Sequence, residues 1–350
     1  MYHIIVNPIA GKGRTLDKLP LLTRLFDAHN LTHEVIVTQH IMDAYDKAKD
    51  ICISGSDGIV GIGGDGTIQE IVAGMAAAYA GPVATPLGIF PGGSGNDFVM
   101  TLAGGKAQAL ARYKKKNAEA SAAEFFGAIK TYSQEGTITT VDLIDVNGMA
   151  YLNIGNIGLD ARVVRNAITY KQRFGRYAYV AAVYKSIAQH ANMPLFIDVD
   201  GKVYEGNYTL VAVCNGQYYG GGLHLAPQAQ LNSGKIMLCL VEALSRPKTM
   251  VIFPSLMVGK HHKLKAVSFH ECEKVSITLK SGTECLSLDG NLHEIKSTSG
   301  QVTSQAEGIG DYALENDDKN ESIFSSYNLH SANKGVLHFK ILPKWLKIFQ

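Results

Sequence analysis

The chain has 350 residues, 46% of them apolar, enough for about two domains of ordinary size and hence for a cleft between them. A formal net charge of +2 excludes the strongly basic character of a nucleic-acid binder, so no nucleic-acid partner is expected. Five cysteines (Cys52, Cys214, Cys239, Cys272, Cys285) form no C-x-x-C pair and lie in apolar or strand-like runs, which excludes a disulfide framework and a zinc site and fits a reducing cytoplasm.

Tyr2–Val6 reads as a strand, without the basic head of a signal peptide, and no apolar run reaches the roughly 20 residues that span a bilayer. Further strands are expected at His33–Val37, Gly58–Ile62 and Leu87–Phe90. Between them, Leu21, Leu22, Leu25 and Phe26, then Ile68, Ile71, Val72 and Met75, fall at helical spacing. This alternation predicts an α/β domain with a mostly parallel sheet. A Lys/Ala-rich stretch from Ala107 to Glu135 closes it, giving a first domain over 1–135. Short strands follow at Ile138–Val146, Ala150–Ile154, Leu195–Val199, Tyr208–Asn215, Lys235–Leu240, Val275–Leu279 and Glu284–Leu288, interrupted by an amphipathic helix over Tyr177–Gln189. With their Gly and Asn turns they predict a β-rich, sandwich-like second domain over 136–342. Within it, residues 297–333 are polar and read as a mobile insertion. Val336–Leu342 forms the expected last strand, and 343–350 a basic aromatic tail.

Three glycine-rich segments follow expected strands: Asn7-Pro8-Ile9-Ala10-Gly11-Lys12-Gly13, Gly63-Gly64-Asp65-Gly66-Thr67 and Pro91-Gly92-Gly93-Ser94-Gly95-Asn96-Asp97. All three should meet at one sheet edge, where open α/β sheets bind ligands. Bare backbone N–H groups at helix N-termini cradle phosphate oxygens, so a nucleotide's phosphate chain is the expected ligand. Tight turns alone would explain any one of these segments, but hardly all three together. The match of Gly61–Gly66 to G-x-G-x-x-G lacks the acidic residue about 20 positions on that holds a dinucleotide's ribose. Gly11-Lys12-Gly13-Arg14 lacks the hydroxyl of a Walker A loop, and no metalloprotease or nucleophile-elbow motif is present.

In order and spacing, the three segments resemble the bacterial diacylglycerol kinase-like lipid kinases, relatives of sphingosine kinases that share the Gly-Gly-Asp-Gly-Thr loop with NAD kinases. The resemblance continues through Tyr177–Val180, Cys214–Gly222, Ala226–Ala229 and Leu288-Asp289-Gly290, leaving out only 297–333. It implies transfer of the γ-phosphoryl group of ATP, with Mg2+, to a lipid hydroxyl, most simply that of diacylglycerol. Carried over by motif, Asn7, Gly11 and Lys12 would border the phosphates and Thr38 would touch the nucleotide. Gly63, Gly64, Asp65, Gly66 and Thr67, with Gly93, Ser94 and Asn96, would wrap phosphates and ribose. Asp65 and Asp289 are the catalytic candidates, Asp65 positioning magnesium or the acceptor hydroxyl unless it only caps a turn or helix.

Two departures from the family pattern bear on mechanism. The catalytic Asp-Gly-Glu reads Asp289-Gly290-Asn291, and an amide takes up no proton near neutral pH. Asp289 or Glu294 would then have to serve, or activity would be weak. The magnesium-supporting turn after Ala226-Pro227-Gln228-Ala229 carries Ser233 where the family has Asp, which puts the structural metal in doubt. Peripheral membrane contact is expected through Lys114–Lys116, through Lys260–Lys265 or through the tail with Lys344, Trp345, Lys347 and Phe349, at about 1 kcal/mol per basic residue, the alternative for the tail being packing against the first domain. His261 and His262 read as surface histidines. The competing readings are an NAD kinase and a catalytically weak nucleotide- or lipid-binding module; a homodimer stays open.

Overall fold

β-branched runs build the first sheet, and helices cover both of its faces. In chain order the elements are β1 (Tyr2–Val6), α1 (Leu19–Ala28), β2 (His33–Val37), α2 (Asp43–Ser54), β3 (Gly58–Gly63), α3 (Asp65–Ala77), β4 (Leu87–Pro91), α4 (Asp97–Leu102), α5 (Lys106–Tyr113) and α6 (Ala118–Glu135). The computed structural model describes residues 1–13, 15–93, 95–113, 118–136, 138–174, 178–189, 191–257, 259–297 and 335–349. Ser94, Lys114–Lys116, Tyr177 and all but the first residue of the 297–333 segment lie outside them.

The strands run parallel in the order β2-β1-β3-β4. Alternate side chains divide between two cores, as the period of two in a strand requires. Ile4, Val60, Ile62 and Phe90 pack on Leu22 and Phe26 of α1 and on Phe125, Phe126 and Ile129 of α6. Ile5, Ile59 and Ile89 pack on Ala48 and Ile51 of α2 and on Ile68, Ile71 and Met75 of α3. Helices α2 and α3 cross closely at Gly74, where an added Cβ would lie 2.1 Å from the Tyr45 carbonyl oxygen. Gly74→Ala is therefore expected to cost about 1–3 kcal/mol, read as a lowered midpoint in urea unfolding with its slope unchanged.

The second part comprises β5 (Thr139–Val146), β6 (Met149–Tyr151), β7 (Ile154–Gly158), α7 (Leu159–Phe174), α8 (Ala178–Ala188), β8 (Met193–Val199), β9 (Lys202–Cys214), β10 (Tyr218–Tyr219), β11 (Leu223–His224), β12 (Ile236–Glu242), α9 (Arg246–Met257), β13 (Val267–Cys272), β14 (Lys274–Leu279), β15 (Thr283–Leu288), β16 (Asn291–Lys296) and β17 (Val336–Ile348). Its strands pair antiparallel, and the core between them is lined by residues such as Tyr151, Ile197, Val211, Leu238, Ile277 and Phe339. The expected architecture, a parallel α/β part followed by a β-rich sandwich-like part, is the one observed.

Three local expectations are corrected. The strand expected over Ala150–Ile154 is broken at Leu152 and Asn153, because the amides there turn toward a side chain instead of a neighbouring strand. Residues 343–348 are no free tail. They continue β17, which pairs with β14 and β5, shifts register between Leu342 and Leu346, and ends beside β4 with Ile348 opposite Leu87. Leu346 and Ile348 are fully buried, Trp345 packs on the core shared with α3, and Phe349 lies against Tyr2 and Tyr132. His261 is likewise buried, its Nε2 2.7 Å from the Leu225 carbonyl, whereas His262 is exposed.

Candidate active site

The register Val6↔Ile62 and Ile62↔Phe90 brings the C-terminal ends of β1, β3 and β4 level, so the three glycine-rich loops emerge side by side. They touch through backbone. Gly92 N–H donates to the Gly63 carbonyl at 2.7 Å. A Cβ on Gly11, which has φ 58°, would sit 2.1 Å from the Gly92 carbonyl oxygen, and one on Gly93 would sit 2.5 Å from Gly64 Cα. Side chains would hold these loops apart, so glycine is required at these contacts whatever ligand is bound. Asn7 Nδ2 donates to Thr67 Oγ1 at 2.9 Å, fastening the first loop to the start of α3. Lys12 follows with φ 65° and is exposed. Thr38, at the end of β2, is buried, and its N–H donates to the Val6 carbonyl.

Asp65 joins the second loop to the third. Its Oδ2 accepts from Asn96 N–H at 2.8 Å and its Oδ1 from Asp97 N–H at 2.8 Å and Phe98 N–H at 3.5 Å. These are first-turn amides of α4, which have no acceptor inside the helix, so Asp65 caps that helix from the neighbouring glycine-rich loop. Asn96, in the left-handed region at φ 56°, closes the third loop by exchanging hydrogen bonds with the backbone of Gly93.

Asp289 and Gly290, with φ 48° and 96°, form the two-residue turn between β15 and β16. Asp-Gly is the pair such a hairpin favours. The Asp289 carboxylate gathers the amides of Leu152, Asn153 and Ile154 at 2.7–3.2 Å. It thereby replaces the missing strand partner at the break between β6 and β7. Both oxygens of this catalytic candidate are engaged. Asn291 crosses to the first part, its Nδ2 donating to Gln69 Oε1 at 2.6 Å and to the Gly66 carbonyl at 3.2 Å. Glu294 lies farther along β16, a third exposed and paired with Lys296.

Between the two walls lies a cavity of about 560 Å³, lined by Asp65, Gly66, Gly95 and Asp97 on the first part and by Ile154, Asn156, Asp160, Val163, Tyr219 and Asp289 on the second. Sequence reasoning did not pick out Asn156, Asp160 or Tyr219. The available signal was Asp160 directly after a Gly-containing apolar run, at the start of a helix. Asp160 Oδ1 accepts from the Tyr219 hydroxyl at 2.9 Å, and Asp97 Oδ2 accepts from Gly221 N–H at 2.9 Å.

Burial dominates the electrostatics. It pushes Asp160 and Asp289 up to about 7, opposed by the Tyr219 hydroxyl for the first and by three amides for the second. Asp97 rises to about 7 through burial and then through the neighbouring Asp65 charge. His293 moves the other way, down to about 4, because burial disfavours its cation.

The unfolded chain ionises an Asp near 3.8, so between there and 7 the fold holds a proton that the unfolded chain has lost. Such a group's contribution to stability is complete below its unfolded value and disappears as pH rises through its folded value. His293 stabilises above its unfolded value and loses that contribution as pH falls toward 4. Asp160→Asn should therefore flatten the fall of unfolding free energy with pH by about 1.4 kcal/mol per unit between pH 5 and 6.5, measured by urea titration beside the parent. Parallel curves would contradict this assignment.

A structural magnesium would call for carboxylate oxygens at the turn after Ala229. In the turn after Ala229, Ser233 Oγ contacts the carbonyls of Gln230 and Lys235 at 3.3 Å each and accepts from Lys235 N–H at 3.2 Å. Lys235 Nζ pairs with Glu273. The nearby buried Asp142 accepts the amides of Gly234 and Lys344. Among the described residues no group of three or more His, Cys, Asp or Glu side chains is placed to hold a metal ion. The turn closes on itself and does not fit a metal.

Comparison with known proteins agrees with this layout. Residues 1–126 match the family model described as the diacylglycerol kinase catalytic domain, and residues 154–306 the YegS C-terminal NAD kinase beta sandwich-like domain. Over 289 residues the chain is 25% identical to a diacylglycerol kinase of Bacillus subtilis (strain 168), covering 82% of this chain and 88% of that one. It is 26% identical over 289 residues to a diacylglycerol kinase of Staphylococcus aureus (strain bovine RF122 / ET3-1), covering 82% and 85%. A crystal structure of a putative diacylglycerol kinase from Bacillus anthracis str. Sterne shares the fold, with a TM-score of 0.68 at 21% identity, over 99% of this chain and 96% of that one. The chain belongs to the bacterial diacylglycerol kinase-like lipid kinase family.

Proposed function

We propose that the protein transfers the γ-phosphoryl group of ATP to the hydroxyl of a neutral glycerolipid, with diacylglycerol as acceptor and phosphatidic acid as product. Residues 1–135 hold the nucleotide in this reading, and residues 136–342 present the lipid. The observation that carries it is the cavity between the glycine-rich loops and a mixed wall of the second part: Asp65, Gly66 and Gly95 on one side, Ile154 and Val163 beside Asn156, Asp160 and Asp289 on the other. ATP fits the first wall, since the opening N–H groups of α3 have no acceptor within the helix and a helix N-terminus attracts phosphate oxygens. Asn7 and Asp65 hold the loops at fixed spacing, so catalysis here is positioning more than covalent chemistry. Magnesium enters only as the nucleotide's own counter-ion.

The lipid reaches the cavity from a bilayer surface. Lys260, Lys263 and Lys265 are exposed near α9, whose Met250 and Val251 are also exposed, and this basic and apolar face is the proposed contact in place of the buried C-terminal strand. Among the described residues no helix is long and apolar enough to cross a membrane.

Asn291 favours a second reading, a binding module of low activity, because its amide occupies the position of the family's acid. Transfer of labelled γ-phosphate to diacylglycerol in mixed micelles separates the two. Labelled phosphatidic acid supports the kinase. ATP binding without transfer to diacylglycerol, to other lipid alcohols or to NAD supports the module.

A further inference from the structure

Phosphoryl transfer to an alcohol needs a group that takes the hydroxyl proton from within hydrogen-bond reach. The family's acid is absent at Asn291, whose amide is committed to Gln69 and Gly66. The carboxylates around the cavity differ in what their oxygens already do. Asp65 has both oxygens on the amides of α4, and Asp289 has both on the amides of Leu152–Ile154. Asp97 has one unpartnered oxygen, Oδ1, but it stands among the glycine loops beside the like charge of Asp65. An ionised carboxylate there faces the phosphates and repels them.

Asp160 stands on the opposite wall. It is 2% exposed and is the second residue of α7, two positions after Gly158. The Tyr219 hydroxyl fixes Oδ1, whereas Oδ2 is buried and unpartnered. Asn156, 4% exposed and on the same wall, also has an unpartnered Oδ1. Two orphaned acceptors in a cavity this size indicate that a hydroxyl-bearing ligand belongs between them, since buried polar atoms are normally satisfied. Val163, one turn along α7, and Ile154 supply apolar surface beside it.

Resting on the kinase reading above, we propose that Asp160 Oδ2 is the proton acceptor for the lipid hydroxyl in this chain, with Asn156 Oδ1 orienting that hydroxyl. The acceptor oxygen forms its bond to the γ-phosphorus while the bond from that phosphorus to the β,γ-bridging oxygen breaks. The hydroxyl proton moves to Oδ2, and ADP leaves with the bridging electron pair. Proton transfer from product-bound Asp160 to water resets the site.

The groups facing Asp160 are the Tyr219 hydroxyl, the Cys214 and Cys239 thiols of β9 and β12, both pushed up by burial and so neutral, and Asp97 across the cavity. Arg162, on the next part of α7, is engaged with Glu284. No cation compensates Asp160 in this set, so kcat should fall as pH drops below about 7.

The test compares kcat, acceptor KM and the pH profile of transfer to diacylglycerol for the parent, Asp160→Asn, Asp97→Asn, Tyr219→Phe and the double variant Asp160→Asn/Asn291→Glu. Asp160→Asn should lower kcat by about 10²–10⁴-fold, leave KM within a few-fold and abolish the acid limb. Tyr219→Phe should move that limb to higher pH, since the hydroxyl's hydrogen bond favours the ionised form. The double variant should regain about tenfold or more, because the restored acid lies where the family carries it. This rescue also distinguishes lost chemistry from lost folding. An Asp160→Asn enzyme that keeps both its rate and its acid limb, an acid limb removed by Asp97→Asn alone, or a double variant with no recovery would overturn the assignment and leave the kinase reading intact. A parent that transfers to no lipid alcohol would overturn both.

Discussion

Asp289→Ala is expected to lower the unfolding free energy by about 3–9 kcal/mol, because it strips the side-chain acceptor from three buried amides and each such loss costs about 1–3 kcal/mol. Leu152, Asn153 and Ile154 are all at most 3% exposed, so water does not readily replace the carboxylate. The backbone adds to the loss, since φ is 48° at this position and alanine disfavours the left-handed region by about 1–2 kcal/mol. Against a total stability of about 5–15 kcal/mol, the variant should unfold at much lower urea and should be cleaved readily by protease in native buffer. A midpoint equal to that of the parent would mean that the break between β6 and β7 holds itself together without Asp289.

Asp65→Ala acts on rate. Removing its carboxylate frees the amides of Asn96, Asp97 and Phe98 and uncouples the second glycine loop from the third. A displacement of about 1 Å in a positioned phosphate costs about 10²-fold in rate, so kcat for lipid phosphorylation should fall by about 10²–10³-fold. On the proposed reading, in which Asn7, Gly11 and the opening turn of α3 hold the nucleotide, ATP affinity should change far less. Equal losses in kcat and in ATP affinity would show instead that Asp65 organises binding throughout and has no particular role in transfer.

The first half of the fold was largely readable from residue order. Ile4 and Ile5, Val60 and Ile59 alternate between two cores, and each glycine-rich loop follows its strand directly, so the meeting of three loops could be argued from period and punctuation alone. The second half was less readable where its elements lack a period. Helix α9, Arg246–Met257, contains Pro247 and Pro254 and has apolar residues all around, which hides a helix. Helix α7 does carry Leu159, Val163 and Ala167 at helical spacing, but its many charged residues mask that period. Strand β16, Asn291–Lys296, buries Leu292, His293 and Ile295 in a segment of mostly polar composition.

Long-range partners explain the rest. No local pattern reveals that Asp289 serves Leu152, or that Asp160 meets Tyr219, because each pair is joined only by the fold. The tail's Lys and Trp residues suggested a bilayer because composition records amphipathicity and says nothing of register. Once Leu346 pairs with Val141, the same residues alternate between core and solvent.

The course of β17 also bears on biosynthesis. Strand β4 obtains its outer neighbour only when Ile348 arrives opposite Leu87, although β4 itself is among the early parts of the chain to be made. Until then the nascent α/β half carries an unpaired strand edge and an empty slot beside Tyr2 and Tyr132 that Phe349 later fills. An open edge of this kind recruits other strands. Chains stalled or cleaved ahead of β17 would therefore be the aggregation-prone species, and an isolated α/β half would be a poor candidate for expression on its own.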